Sequence, residues 1–163
     1  MSNDQHDASS RTVVSTPSDR EIVAKRIFDV PRERVFAAYT DPKLIPEWWG
    51  PRGVTTSIDK MDVRPGGEWR FVCRDADGET AFRGAYREIS PPERISESFE
   101  WEGMLGHVLV ESAEFEDLGG RTKVTTTLLF HATDERDGML SSGMESGMSE
   151  SHDRLAELLA DAG

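Results

Sequence analysis

The chain has 163 residues and a mass of 18.2 kDa, with 36% apolar residues and 31 acidic against 19 basic side chains, a formal charge of −12. That length suits one domain whose core needs no metal or disulfide staple. An acid surplus of this size repels phosphate backbones and anionic lipid surfaces, and no basic cluster offsets it, so neither nucleic acid nor membrane is an expected partner.

Residues 1–19, MSNDQHDASSRTVVSTPSD, have no apolar run and no basic start, so they are not a secretory signal. Their Ser/Thr/Asp content predicts a disordered tail ahead of one domain over 20–163. Glu21–Val30 is β-like in composition and predicts a first strand. Pro31 then opens PRERVFAAYTDP, with Val35, Phe36 and Tyr39 at helical spacing. Asp41-Pro42 starts a second short helix, KLIPEWW, ended by Gly50-Pro51.

Six strands joined by short turns follow. Val54–Val63 is stopped by Arg64-Pro65-Gly66-Gly67. Glu68–Arg74 alternates Trp69, Phe71 and Cys73 against Arg70, Val72 and Arg74. Asp75-Ala-Asp-Gly78 is a hairpin turn, and Glu79–Ser90 returns to Pro91-Pro92. Glu93–Glu102 puts Ile95, Glu97, Phe99 and Trp101 on one face. Gly106–Glu116 does the same for His107, Leu109, Glu111, Ala113 and Phe115, and Thr122–His131 is the last strand. From Glu135 to Ala160 the period changes: Leu140, Met144, Met148, Leu155 and Leu159 fall near one face of a single long helix. The expected class is α+β, a curved antiparallel sheet of six to seven strands wrapped around that helix.

The phrases FDVPRERVFAAYTDPKLIPEWWGP, VRPGGEWRF, FRGAYREISPPERI and SHDRLAELLA, in this order, closely resemble the START-like (SRPBCC) superfamily. Within it the chain is most similar to the group related to the activator of heat-shock-protein-90 ATPase. The resemblance spans roughly residues 20–160 and implies a helix-grip fold with a deep cavity between sheet and C-terminal helix. Members bind hydrophobic small molecules, act as cyclases or hydrolases, or serve as co-chaperone domains, so fold alone does not name the activity.

The candidate cavity wall is Trp48, Trp69, Phe71, Phe99, Trp101, Leu109, Met144 and Met148. Gly143 and Gly147 interrupt the last helix at about 1 kcal/mol each relative to alanine, which points to a demand for space or close packing. The candidate acid–base residues are Glu97, His107 and Glu111, which share faces with apolar side chains. The family usually carries an aromatic or apolar residue where Glu97 stands. A carboxylate in an apolar cavity has a raised pKa and serves as a proton donor. Two other outcomes are open: a bulge that turns the glutamates to water, or ion pairs with Arg70 or Arg83.

Cys73, the single cysteine, reads as a buried inert thiol in a reducing, cytoplasmic setting. His131 and His152 stand at no zinc spacing, and His152 reads as an ordinary packed or solvated histidine. Asp75, Asp77 and Glu79 lack the rest of a calcium loop, and Gly66-Gly67 is a turn rather than a phosphate loop. No metal or cofactor is expected. The leading expectation is binding of a small hydrophobic or aromatic molecule. The alternatives are a cyclase- or hydrolase-type enzyme and a co-chaperone-like interaction domain. A homodimer through an edge strand or helix face is compatible with the sequence.

Overall fold

A computed structural model describes residues 11–162. Eight strands form one antiparallel sheet: β1 (Val13–Ser15), β2 (Glu21–Phe28), β3 (Thr55–Met61), β4 (Glu68–Asp75), β5 (Gly78–Ser90), β6 (Arg94–Trp101), β7 (Leu109–Asp117) and β8 (Thr122–Leu129). Their spatial order is β1-β2-β8-β7-β6-β5-β4-β3, so the meander β3 to β8 returns to lie beside β2. Two helices follow β2, α1 (Arg32–Thr40) and α2 (Ile45–Trp48), and two end the chain, α3 (Thr133–Ser141) and α4 (Met144–Ala162). This is the helix-grip arrangement.

Three expectations need correction. The predicted tail is shorter than 1–19, because Val13–Ser15 pairs with Val23–Lys25 and adds an eighth strand. Residues 1–10 lie outside the described residues. The C-terminal helix is two helices, because Gly143 sits in the left-handed region at φ +86° just after the last turn of α3. β7 starts at Leu109 rather than Gly106. Gly106 has φ +93°, which breaks the extended backbone and leaves His107 in the loop before the strand.

The sheet curves over α1, α2 and α4. Its concave face carries Ile22, Ala24 and Phe28 from β2, Ile95 from β6, Phe115 from β7 and Val124 from β8, all buried. Leu155 and Leu159 of α4 and Val35, Phe36 and Ala38 of α1 close onto it. A smaller apolar cluster, Ile22, Leu109, Leu128 and Phe130, receives Met139 of α3 and Met144 of α4. Alanine at position 143 forces a side chain into the left-handed region. The expected cost is about 1–2 kcal/mol, read as a lower urea midpoint with unchanged slope.

Candidate functional site

Between the two apolar clusters lies a cavity of about 430 Å³. Its roof is α4, through Met144, Gly147, Met148, Ser151 and His152, and its floor is the concave face of the sheet. Trp48 and Trp49 form one wall. The Trp48 indole N–H donates to the Ala38 carbonyl at 3.0 Å, which sets the ring against α1. Ser151 ties this wall to α4: its hydroxyl donates to the Trp48 carbonyl at 2.9 Å and accepts the Gly50 N–H at 3.2 Å. Arg154 adds a bond from its guanidinium to the Gly50 carbonyl at 2.9 Å. Phe82 and Phe99 continue the wall with ring centroids 5.4 Å apart, and Trp49 meets Phe82 at the same spacing.

Of the sequence candidates, Trp48, Phe99, Leu109, Met144 and Met148 line this cavity. Trp69 and Phe71 do not: both are buried behind the wall, with Trp69 4.9 Å from Phe71 and 5.7 Å from Phe99. Trp101 is 43% exposed, because β6 runs out of the concave sheet there and its indole N–H turns to the Thr80 hydroxyl. It borders a second hollow of about 430 Å³ with Met104, His107, Phe130 and Glu135. Phe99, Leu109 and Met139 border both spaces, so the second hollow adjoins the first.

The register settles the glutamates. Tyr86, Glu97, Glu111 and Leu128 stand opposite one another across β5, β6, β7 and β8. Tyr86 and Leu128 are buried on the concave face, so Glu97 and Glu111 point inward as well. Both are only partly covered; Glu111 borders the cavity and Glu97 stands beside it on the next strand, and no bulge turns them outward. The arginines weighed as partners are engaged elsewhere: Arg70 pairs with Glu102 at 2.7 Å and Arg83 with Glu100 at 3.2 Å. His107 does not join the pair. It is exposed, and its Nδ1 lies 3.0 Å from the Glu135 carboxylate of α3. The three acid–base candidates therefore do not converge.

Burial holds both carboxyls above the ordinary range, Glu97 further because it also faces the charge of Glu111. Tyr39 of α1 lies over them. Burial and then the charges of Glu111 and Glu97 push its phenol up, so it stays a neutral donor. Burial also pushes the Cys73 thiol up, against only a weak contact with Thr56.

Sequence reasoning passed over His152. It is 4% exposed and borders the cavity. Its Nδ1 is 2.6 Å from the Thr12 hydroxyl, and Arg26 donates to that same oxygen at 3.5 Å. Arginine can only donate, so Thr12 accepts from Arg26 and shares a hydrogen bond with Nδ1 whose direction follows the imidazole tautomer. Burial and the nearby Arg26 charge depress the His152 pKa to about 4, which keeps the ring neutral. Arg26 itself pairs with Asp153 at 2.8 Å. The signal was available: 148, 152, 155 and 159 repeat at helical spacing. Tyr39 and Phe82, also lining residues, carried no sequence mark beyond apolar patterning.

Among the described residues, no three His, Cys, Asp or Glu side chains stand together as metal ligands. No described helix is long and apolar enough to cross a membrane.

A family model described as Activator of Hsp90 ATPase homolog 1-like protein matches residues 29–160. No curated protein matches the sequence. Among solved structures, the chain is similar to a Rhodobacter sphaeroides protein at 23% identity and a TM-score of 0.87, covering 93% of this chain and 99% of that one. An Arthrobacter aurescens protein follows at 22% identity and a TM-score of 0.85, covering 91% of each chain. The AHSA1 protein of Silicibacter pomeroyi superposes with a TM-score of 0.74 at 23% identity, over 88% of this chain and 99% of that one. At such identities these likenesses speak to the fold.

Proposed function

The chain belongs to the Activator of Hsp90 ATPase homolog 1-like family, and from that premise we propose that it binds a small apolar or aromatic molecule in the cavity under α4. The observation that carries this reading is the cavity itself. Its volume of about 430 Å³ falls in the range of ligand sites, roughly 300–1,000 Å³. Its walls are mainly rings, thioethers and aliphatic groups, with polar groups among them that include Tyr39, Glu111, Thr126 and His152. Gly147 adds to the case, since a Cβ placed there meets nothing within 4 Å. A helix that only packed on the sheet would gain from a side chain at that position.

Exposed Trp101, Met104, Leu105 and Val108 favour a second reading, a protein-contact surface. Trp101 and Met104 also rim the outer hollow, so the ligand reading accounts for them as an entrance.

The test is a thermal-shift panel of neutral naphthalene- and indole-sized compounds, followed by tryptophan fluorescence. A ligand at a hundred times its Kd adds about 2.7 kcal/mol, which for a domain of this size is a rise of roughly 5–10 °C in Tm. Trp48 and Trp49 report the same event as quenching. No shift and no quenching up to the solubility limit of every compound overturns the proposal.

A further inference from the structure

The inner end of the cavity is unbalanced in charge. Glu111 lines the cavity, and Glu97, its direct cross-strand partner, leaves the sheet a few ångströms beside it. No described hydrogen bond or ion pair reaches either carboxyl, and no lysine or arginine lines the cavity. The groups that face the pair come from each surrounding element. They are Tyr86 from β5, Leu128 from β8, Tyr39 from α1 and, across the cavity, neutral His152 from α4. Arg26 of β2, on the same sheet face, is held by Asp153 and Thr12. Two unpartnered acids in a ring-lined space are costly unless something positive meets them.

Resting on the ligand-binding reading above, we infer that the cavity takes a protonated amine carried on an aromatic or alkyl body. The ammonium sits at Glu111 and Glu97, and the body lies along Phe82, Phe99 and the two tryptophans. An ammonium has three donors and no acceptor, which suits a pair of carboxylates. Rings beside it add cation–π attraction. An anionic ligand would meet two acids and no cation. A bare divalent ion would need six or more oxygen ligands, and besides the glutamates the lining offers only scattered oxygens on a largely apolar wall. Without ligand, the pair retains a proton at neutral pH, as close carboxyl pairs do. The amine replaces that proton, so its binding strengthens as pH rises.

The probes are 2-naphthylmethylamine, 2-naphthylmethanol and 2-naphthoate, titrated by calorimetry and tryptophan fluorescence. The expected result at about pH 8 is an amine at least about tenfold tighter than the alcohol, with the carboxylate weakest. That preference narrows toward pH 5.5 and is lost in the double variant E97Q/E111Q. The double variant removes buried like charges and keeps shape, so it remains folded, and its far-UV spectrum and melting curve verify this. Equal binding of amine and alcohol by the native protein overturns the inference and leaves the cavity proposal standing. So does a preference that survives in E97Q/E111Q. Failure of all three probes overturns the inference, and the cavity proposal falls with it only when the whole neutral panel fails as well.

Discussion

Leucine in place of Gly147 raises the melting temperature and removes ligand binding. Gly147 lies inside α4 at an ordinary helical φ, where glycine costs about 1 kcal/mol relative to alanine and nearly as much relative to leucine. No atom lies within 4 Å of the added Cβ, so the new side chain enters the cavity instead of striking the sheet. There it covers apolar surface from Phe99, Leu109 and Met144, a further gain on the order of 1 kcal/mol. The sum corresponds to a Tm roughly 4–8 °C higher. The same isobutyl group occupies the space a ligand needs, and the affinity of any cavity probe falls by at least about a hundredfold. Gly147→Ala is the control: it keeps the helix term and leaves most of the volume, so it stabilises and still binds. A leucine variant that is less stable, or that binds normally, shows that the space above the sheet is not the site. The trade of stability for an open space is what a ligand-binding protein shows and a plain core does not.

Much of this architecture was legible because it follows from short-range chemistry. Pro31 has φ −62° and opens α1, and Gly78, at φ +138°, turns the β4–β5 hairpin where the sequence reads Asp-Ala-Asp-Gly. Strand β8 alternates buried Thr122, Val124, Thr126 and Leu128 with less buried neighbours, a pattern of period two. β1 was not legible for the opposite reason. It is three residues of edge strand, held by backbone pairing, and the nearby buried side chain is a threonine. His107 was misplaced because periodicity alone cannot see that Gly106 takes a positive φ.

The site was legible in part. Alternation placed Glu97 and Glu111 on apolar faces, but only the register of β6 against β7 makes them partners. That register depends on how the loop between Trp101 and Leu109 closes, which is a tertiary matter. Likewise a helical pattern tells which face of α4 is covered, not that Gly147 leaves the cover incomplete. His152 owes its role to Thr12, 140 residues away, a contact no local pattern carries.

The cavity's titrating groups make stability depend on pH in two opposed ways, and variants should separate them. Burial pushes Glu111 up to about 7 from an ordinary 4.5 and raises Glu97 too. Below the ordinary value, folded and unfolded chains both hold these protons. As pH climbs from about 4.5 to 7 the unfolded chain loses them first, so stability falls through that interval, by at least about 3 kcal/mol for the pair. His152 acts in reverse. Its folded value of about 4 lies below the ordinary 6.5. Above 6.5 the ring is neutral in both states. As pH falls from 6.5 to 4 the unfolded chain takes up a proton first, and stability drops by a similar amount, about 3 kcal/mol. Asp153 and Arg26, the charges nearest His152, are bound to each other at 2.8 Å and hold this environment constant. In the native protein the His152 slope offsets about one of the two carboxyl slopes between pH 4.5 and 6.5, so a net fall with rising pH is left. E97Q/E111Q removes the first slope: its Tm exceeds the native value by roughly 6–12 °C at pH 8, matches it near pH 4, and its stability falls on acidification. His152→Gln removes the second and loses stability as pH rises from 4.5 to 7. Urea unfolding of the three proteins at unit pH steps reads both slopes. An E97Q/E111Q gain that is equal at pH 4 and pH 8 shows that packing, not a pair of buried carboxyls, sets the stability of this cavity.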